Sequence, residues 1–258
     1  MKMILDEVKE TYIKDLLKQG KRGDERGLMD YREIKLTKGY IPNAEGSALC
    51  QIGDTKVLVG VKIDLSTPYP DRPTEGSFSV NAEFCPMSHP DFRPGPPNEQ
   101  SIELARVVDR GIRSAECIDL NGLFLEEGKA LGVFTDVYVL DHCGNLIDTA
   151  ALAAMAALTN CRMPKYEDGK LVRTEFNGNL KLARKVAACS FEKIGDKFIV
   201  DANSAEETAS DGRLTLSTCD GDLVCAAQKS GKVGVSKAEL MQLVDAAFEK
   251  GKWLRAKL

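Results

Sequence analysis

Residues 135–158 constrain the fold more than any other stretch, because their hydrophobic period changes halfway. Residues 135–141 alternate and are apolar on both faces, which predicts a strand in the interior of a sheet. Residues 143–145 predict a turn, and the Ala/Leu/Met run that follows predicts a largely buried helix with Asp148 as its N-cap. A strand, a short glycine turn and a helix N-terminus also form the local geometry that binds phosphate. The rest of the chain decides whether this turn does so.

The composition indicates a soluble globular protein, with 43% hydrophobic and 29% charged residues among 258. No apolar run approaches the roughly 20 residues of a membrane span, and the N-terminus lacks the basic start and apolar core of a signal peptide. We therefore expect a cytoplasmic protein with no membrane partner. A net charge of −4 disfavours a stand-alone nucleic-acid binder, so contact with RNA requires a local patch or an assembly.

The cysteine and histidine content bears on metal and redox chemistry. The eight cysteines are scattered through apolar segments without a CxxC pair, which favours free thiols in a reducing compartment over disulfides or zinc. His89 and His142 are the only histidines, so a histidine-based metal site or catalytic triad is poorly supported. The sequence therefore predicts neither a metal nor a cofactor.

Runs of strands punctuated by helices predict an α+β fold made of two-layer α/β sandwiches. Residues 4–19 predict an amphipathic helix that ends at Gly20. Ser236 and Glu239 form a capping-box pattern at the start of a helix over 236–254. The predicted strands are 32–38, 46–52, 56–64, 77–84, 185–194, 197–201, 213–219 and 223–229.

Two irregular segments divide the chain. Residues 85–98 carry five of the ten prolines, and a loop of this length inside a domain is usually functional or binds a partner. The polar, glycine-rich residues 168–179 predict a domain boundary. We therefore expect an N-terminal helix extension at 1–21, a first domain at 22–167, a connector at 168–179 and a second domain at 180–258.

A helix predicted over 99–117, with Asn98 as its N-cap, carries a row of arginines. At about 100° per residue, Arg106, Arg110 and Arg113 fall together opposite the apolar side. Their planar forks of donors suit phosphate groups, which suggests RNA binding. A solvated face or a subunit contact is the alternative interpretation.

Motifs along most of the chain resemble the RNase PH family. Residues 22–26 are similar to the family's N-terminal R-x-D-G-R element, with Glu25 where Gly is usual. Residues 46–48 and 53–59 resemble its G-S-A and G-x-T-x-V hairpin. Residues 103–119 are similar to its E-x-x-R-x-x-x-R-x-x-R helix, and the order and spacing of these pieces are more specific than each piece alone.

This resemblance implies an RNase PH-like fold with two β-α subdomains and a defined chemistry. Members degrade RNA from the 3′ end by phosphorolysis, in which inorganic phosphate attacks the terminal phosphodiester and releases a nucleoside diphosphate. The reaction needs a phosphate pocket at the strand–turn–helix, acidic residues near the scissile bond, and arginines along the RNA backbone.

The phosphate pocket and the acidic residues are altered in this sequence. Active members carry small or hydroxyl residues at the turn, whereas this chain has Leu146, Ile147 and Asp148, whose bulk and charge disfavour phosphate. On the family's acidic segment, Asp201 and Glu206 match, Glu207 replaces the first catalytic aspartate and Arg213 replaces the second. A cation at that position cannot serve as general acid or base. The resemblance therefore predicts no catalytic residues and leaves Arg106, Arg110 and Arg113 as RNA-binding residues.

This combination resembles one branch of the family, the non-catalytic ring subunit of the archaeal exosome. That branch has a longer N-terminal helix and a chain of about this length. The resemblance implies that three heterodimers with a catalytic RNase PH-type subunit form a hexameric ring around RNA. S1/KH-type or zinc-ribbon subunits cap this ring, and the active site lies in the partner, completed by arginines from this subunit.

Two alternatives remain open at this point. The chain could itself be an active phosphorolytic exoribonuclease that uses Glu207 and Asp211, if the acidic segment is aligned two residues later. A small-molecule kinase of a distantly similar α/β fold would need a Gly/Ser-rich phosphate loop. The nearest candidates, Gly95 and 231–234, lack the supporting strand–helix context.

Overall fold

Two β-sheets enclose a layer of helices in the computed structural model, which describes residues 4–258 and the side chains from residue 7 onward. The helices are α1 (Ile4–Lys18), α2 (Glu99–Ser114), α3 (Leu146–Thr159), α4 (Ser204–Thr208) and α5 (Lys237–Arg255). The strands are β1 (Ile34–Lys38), β2 (Gly46–Ile52), β3 (Thr55–Ser66), β4 (Ser77–Phe84), β5 (Phe124–Glu126), β6 (Lys129–Asp141), β7 (Arg162–Glu167), β8 (Lys170–Asn179), β9 (Val186–Ile194), β10 (Lys197–Val200), β11 (Gly212–Cys219) and β12 (Leu223–Gly231).

The first sheet has the order β1-β2-β3-β6-β4, and β5 pairs with the first residues of β6. It is mixed, because β4 runs parallel to β6 while the other pairs are antiparallel. Strand β6 lies inside the sheet as its sequence predicts. Only one of its faces is fully buried, however: Val137 and Val139 are in the core, whereas Tyr138 is 36% exposed.

The second sheet has the order β10-β9-β11-β12 and is entirely antiparallel. Helix α3 packs between the two sheets, against β2 and β3 on one side and β9 on the other. Its residues 147–158 are all buried. Residues 150–158 consist only of Ala, Leu and Met, which carry no polar side-chain group that would need water. Helix α5 also packs on β9 and β11, where Phe191 lies in one apolar cluster with Leu243 and Ala247.

The segment 168–179, predicted as a connector, contains strand β8. It pairs antiparallel with β7 in a separate two-stranded sheet, and most of its side chains are exposed. Register shifts interrupt the pairing near Pro164, where a missing N–H cannot complete the ladder. The polar sequence of 168–179 therefore reflects an exposed hairpin strand.

The predicted N-terminal helix and its C-cap are present as α1 and Gly20, which has a φ of 72°. Leu17 is buried in a cluster with Ile194 of β9 and Ile199 of β10. Val8 and Tyr12 are about three-fifths exposed, so only part of the predicted apolar stripe is buried. All eight cysteines are free thiols, and five are buried. Among the helices within residues 4–258, none is long and apolar enough to span a bilayer.

Candidate functional site

The turn between β6 and α3 has a different geometry from the one predicted. Helix α3 begins at Leu146, and its N-cap is Asn145 in the left-handed conformation, with φ 57° and ψ 47°. The prediction of Asp148 as N-cap is wrong: this residue lies within the first turn of the helix, with 1% exposure. Its carboxylate accepts hydrogen bonds from the Tyr31 hydroxyl at 2.7 Å and from the Ser190 amide and hydroxyl at 3.1 and 2.8 Å. Asp148 therefore fixes α3 to β9.

A carboxylate from the second half of the chain reaches the turn. The backbone N–H of Asn145 donates to Oε1 of Glu207 at 2.8 Å. Burial raises the pKa of Glu207, an effect that the Asn145 N–H and the charges of Arg213 and Arg32 oppose. Its other oxygen lies 3.9 Å from Nε2 of His142. The pKa of His142 is lowered to about 4 by burial and by the neighbouring His89, so this imidazole is neutral at pH 7.

Glu207 faces a cavity of about 160 Å³ at the start of α3. Arg213 also lines it, and its guanidinium lies 3.7 Å from a carboxylate oxygen of Glu103 and 3.7 Å from one of Glu192. Burial raises the pKa of Glu192 to about 7, although Arg213 and the Ser210 hydroxyl favour the ionised form. The cavity is lined by Phe84, Phe92, Gln100, Glu103, Leu104, His142, Leu146, Ile147, Glu207 and Arg213.

Asp211, the acid required by the alternative alignment, is held away from this cavity. Its carboxylate accepts hydrogen bonds from Nζ of Lys14 at 3.3 Å and from the Gly195 amide at 2.8 Å. It is absent from the residues that line the cavity. The structure therefore does not bring Asp211 together with Glu207 as an acidic pair. No group of three or more His, Cys, Asp and Glu side chains within residues 7–258 is arranged to hold a metal ion.

The N-terminal R-x-D-x-R element forms buried ion pairs with the second half of the chain. Arg22 makes two hydrogen bonds to the Glu206 carboxylate, at 2.9 and 2.6 Å. Arg26 and Arg32 both bind the Asp201 carboxylate, which also accepts from Nδ2 of Asn145 at 2.8 Å. These contacts join the segment before β1 to the turn at the start of α3.

The three predicted RNA-binding arginines lie on the outer side of α2, but their side chains reach different neighbours. Arg106 is exposed, and within the described part of the chain no hydrogen bond or ion pair engages its guanidinium. Arg110 donates to Oε1 of Gln228 in β12 at 2.7 Å. Arg113 is paired with Asp109 at 2.7 Å and donates to the Phe78 carbonyl at 2.7 Å. Asp109 therefore neutralises Arg113, whereas the half-buried Arg110 binds the neutral Gln228 and Arg106 is exposed.

Two features of this region were missed from the sequence. One is α4, which positions Glu206 and Glu207. Its signal was present, because Asn203 and Glu206 have the spacing of a capping box, and both reciprocal hydrogen bonds form. The other is the ion pair of Asp201 with Arg32 across 169 residues of sequence, a separation that no local pattern reveals.

Comparison with known proteins assigns the chain to a family. The model of the 3′ exoribonuclease family, domain 1, matches residues 30–164, and that of domain 2 matches residues 185–250. The chain belongs to the RNase PH family of 3′ exoribonucleases. Within it, the Exosome complex component Rrp42 of Thermococcus gammatolerans is 43% identical over 248 residues, covering 94% of this chain and 91% of the relative. The same component of Methanosarcina mazei is 41% identical over 258 residues, covering 99% and 95%.

Solved structures confirm the predicted RNase PH fold. A chain in a structure described as the Archaeoglobus fulgidus exosome with RNA bound to the active site superposes with a TM-score of 0.93. It is 41% identical, and 99% of each chain is covered. A chain of an archaeal exosome core gives a TM-score of 0.88 at 40% identity, covering 98% of this chain and 97% of that one. Rice Rrp46, at 20% identity and a TM-score of 0.69, shares the fold.

The buried Asp148 makes the stability of this RNase PH-type chain depend on pH. Burial raises its pKa from 3.8 to about 6, against the opposing hydrogen bonds from Tyr31 and Ser190. Between these values the folded chain retains a proton that the unfolded chain releases, so stability falls as pH rises through this window. Between pH 4.5 and 7, we expect the free energy of unfolding of Asp148→Asn to fall by about 2 kcal/mol less than that of the wild type.

Urea unfolding of both proteins at the two pH values measures this difference. Asparagine can accept from Tyr31 and donate to the Ser190 hydroxyl, so it imitates the protonated acid. The charge of Asp148 is one of the causes that raise the pKa of Glu192, so Glu192→Gln is introduced into both proteins to remove the contribution of Glu192. The exposed Asp15, which pairs with Lys18, supplies the control variant Asp15→Asn, whose pH profile should follow the wild type. Parallel profiles for wild type and Asp148→Asn contradict the assignment.

Proposed function

We propose that this chain is the non-catalytic RNase PH-type subunit of an archaeal exosome, a phosphorolytic 3′-to-5′ exoribonuclease ring. In this role it structures the active site of a catalytic RNase PH-type partner and guides RNA towards it, without a cofactor of its own. It works in the cytoplasm as one half of a heterodimer, three of which form a hexameric ring. S1/KH-type or zinc-ribbon subunits cap the ring.

The observation that carries this proposal is the guanidinium of Arg213 in the cavity at the start of α3. Phosphorolysis needs acidic groups near the scissile bond, and a permanently charged cation cannot accept or deliver a proton there. Arg213 instead neutralises the surrounding Glu103 and Glu192. Asp211 is bound to Lys14 instead, and Glu103, the other acid that lines the cavity, lies beside the Arg213 guanidinium. We infer that Glu207 lacks the second acid that the chemistry requires.

The outer side of α2 supports a role in guiding RNA. Arg106 is exposed, and the half-buried Arg110 has one guanidinium nitrogen bound to the neutral Gln228. Guanidinium groups bind backbone phosphates through paired donors. We propose that both contact RNA bound to the partner, and that Arg113 contributes less because Asp109 already neutralises it. The net charge of −4 is compatible with this role, because an assembly can concentrate basic groups along its channel.

The decisive experiment compares the purified chain with the assembled complex. Each is given a labelled oligoribonucleotide and inorganic phosphate, and nucleoside diphosphate release is measured. We expect no release above background from the chain alone, none from the chain with a heat-inactivated partner, and processive release from the reconstituted complex. Phosphate-dependent release of nucleoside diphosphate by the chain alone overturns the proposal in favour of an active exoribonuclease.

A further inference from the structure

The turn before α3 retains the backbone framework of an anion site. Gly144 and Asn145 both have positive φ, at 92° and 57°, and the turn leads directly into a helix of 14 residues. Asn145 is held in this conformation by the hydrogen bond from its Nδ2 to Asp201, and Arg32 donates to the Cys143 and Gly144 carbonyls. A positive helix terminus and a fixed, inward N–H group are the parts that bind a phosphate oxygen.

The same turn is packed closely against the segment that supplies Glu207. A side chain at Gly144 would place its Cβ 2.3 Å from the Ala202 carbonyl and 2.6 Å from the Asn203 carbonyl carbon. Asn203 is the N-cap of α4, and its carbonyl accepts the N–H of Glu207 at 2.8 Å. The neighbouring Glu206 is fixed by Arg22. The turn and α4 therefore form one rigid contact, and this contact delivers the Glu207 carboxylate to the Asn145 N–H.

The surroundings of Glu207 match those of a bound anion. Its side chain keeps only 22% of its surface exposed, and its Oε1 accepts the Asn145 N–H at 2.8 Å. Burial raises the pKa of Glu207, whereas the Asn145 N–H and the nearby cations Arg213 and Arg32 favour its charged form. A carboxylate and a phosphate share the same acceptor chemistry at such a site, so only one of them can use this N–H.

We propose that Glu207 is a built-in anion, whose carboxylate occupies the former phosphate cradle and excludes inorganic phosphate. The inference rests on the proposed function, because it explains why a non-catalytic chain that keeps the turn before α3 does not bind inorganic phosphate there. Leu146 and Ile147 add bulk beside the cavity, but Glu207 is the residue that accepts the hydrogen bond of the Asn145 N–H. Removing this carboxylate should therefore allow phosphate to bind at the Asn145 N–H. If the backbone site itself were lost, one substitution could not restore phosphate binding.

The test compares Glu207→Ser with Glu207→Gln in the full chain, using inorganic phosphate as the probe. Serine removes the carboxylate, whereas glutamine keeps an oxygen that can accept from Asn145. In phosphate, relative to chloride at matched ionic strength, we expect the melting temperature of Glu207→Ser to rise by about 3 °C. Wild type and Glu207→Gln should shift by less than about 1 °C. Equal shifts in all three proteins overturn the proposal.

Amide NMR provides a readout that does not depend on a change in stability. In the wild type the Asn145 N–H should be protected and insensitive to phosphate. In Glu207→Ser its resonance should move on phosphate titration, and in Glu207→Gln it should not. A phosphate-insensitive Asn145 resonance in a folded Glu207→Ser protein contradicts the inference, as does an Asn145 shift in the wild type.

The outcome is separable from that of the proposed function. Phosphate binding by Glu207→Ser without nucleoside diphosphate release supports the built-in anion and leaves the non-catalytic role intact. Release by the wild-type chain alone removes the non-catalytic role, whatever the cradle binds. Failure of Glu207→Ser to bind phosphate removes only the built-in anion.

Discussion

Asp201→Asn should lower the free energy of unfolding by about 3–5 kcal/mol, the usual effect of removing one partner from a buried ion pair. The Asp201 side chain is fully buried, and Arg26 and Arg32 are only 14% and 13% exposed. Neutralising the carboxylate removes the ion-pair partner of Arg32 and acceptors for the Arg32 amide and side chain, whereas Arg26 keeps its pair with Asp24. Equilibrium urea unfolding of the purified chain measures the loss.

Asparagine is the right replacement because Asp201 has a φ of 51°, a conformation that Asn adopts more readily than Ala. The matched control is the exposed Asp15→Asn, for which we expect a change within about 0.5 kcal/mol. Burial raises the pKa of Asp201, but hydrogen bonds and charge from Arg32 outweigh this and lower it overall. Its contribution is therefore present at neutral pH and is lost on acidification below about 4. A loss under about 1 kcal/mol at pH 7 would show that water can replace this network.

Arg106→Ala combined with Arg110→Ala should weaken RNA binding by the assembled complex roughly tenfold to a hundredfold at low salt, since each lost phosphate contact removes counterion release. The slope of log affinity against log salt should fall by about 1.4, the value for two contacts to single-stranded RNA. Fluorescence anisotropy across a salt series measures both quantities. Arg106 is exposed, and the half-buried Arg110 loses only its hydrogen bond to the neutral Gln228, so the fold and the assembly should be preserved.

Two control variants distinguish the loss of a specific RNA contact from the loss of any surface cation. Lys18→Ala removes an exposed cation from α1 and should leave the salt slope unchanged. Arg113→Ala removes a cation already paired with Asp109 and should cost less affinity than either Arg106→Ala or Arg110→Ala. If the double variant binds RNA with the wild-type affinity and slope while the ring remains intact by mass measurement, α2 does not guide RNA.

Sequence alone identified the parts of this protein that depend on local pattern. The interior position of β6, the buried character of α3 and the capping box of α5 follow from periodicity and from residues a few positions apart. The family resemblance also predicted Arg213 where an acid is expected, and the structure brings Arg213 into the same cavity as Glu207.

The errors have a common physical origin in contacts across the fold. Asp148 is a good N-cap residue by local preference, yet the left-handed turn at Asn145 starts the helix earlier and Tyr31 and Ser190 bind its carboxylate. The strand β8 escaped notice because an exposed hairpin strand has no buried face to impose alternation. The hydrogen bond from Asn145 to Glu207 spans 62 residues, so the sequence indicated an altered cradle but not the group that fills it.

The ion pair between Arg22 and Glu206 affects how the protein can be made, because it closes a loop of 184 residues. During synthesis the N-terminal segment leaves the ribosome first, but its binding partner is translated only after most of the chain has emerged. Until then Arg22 and the segment around it remain hydrated and free to move. We therefore expect the native ion pair of Arg22 with Glu206 to form late, after translation has passed Glu206, as for other contacts of large sequence separation.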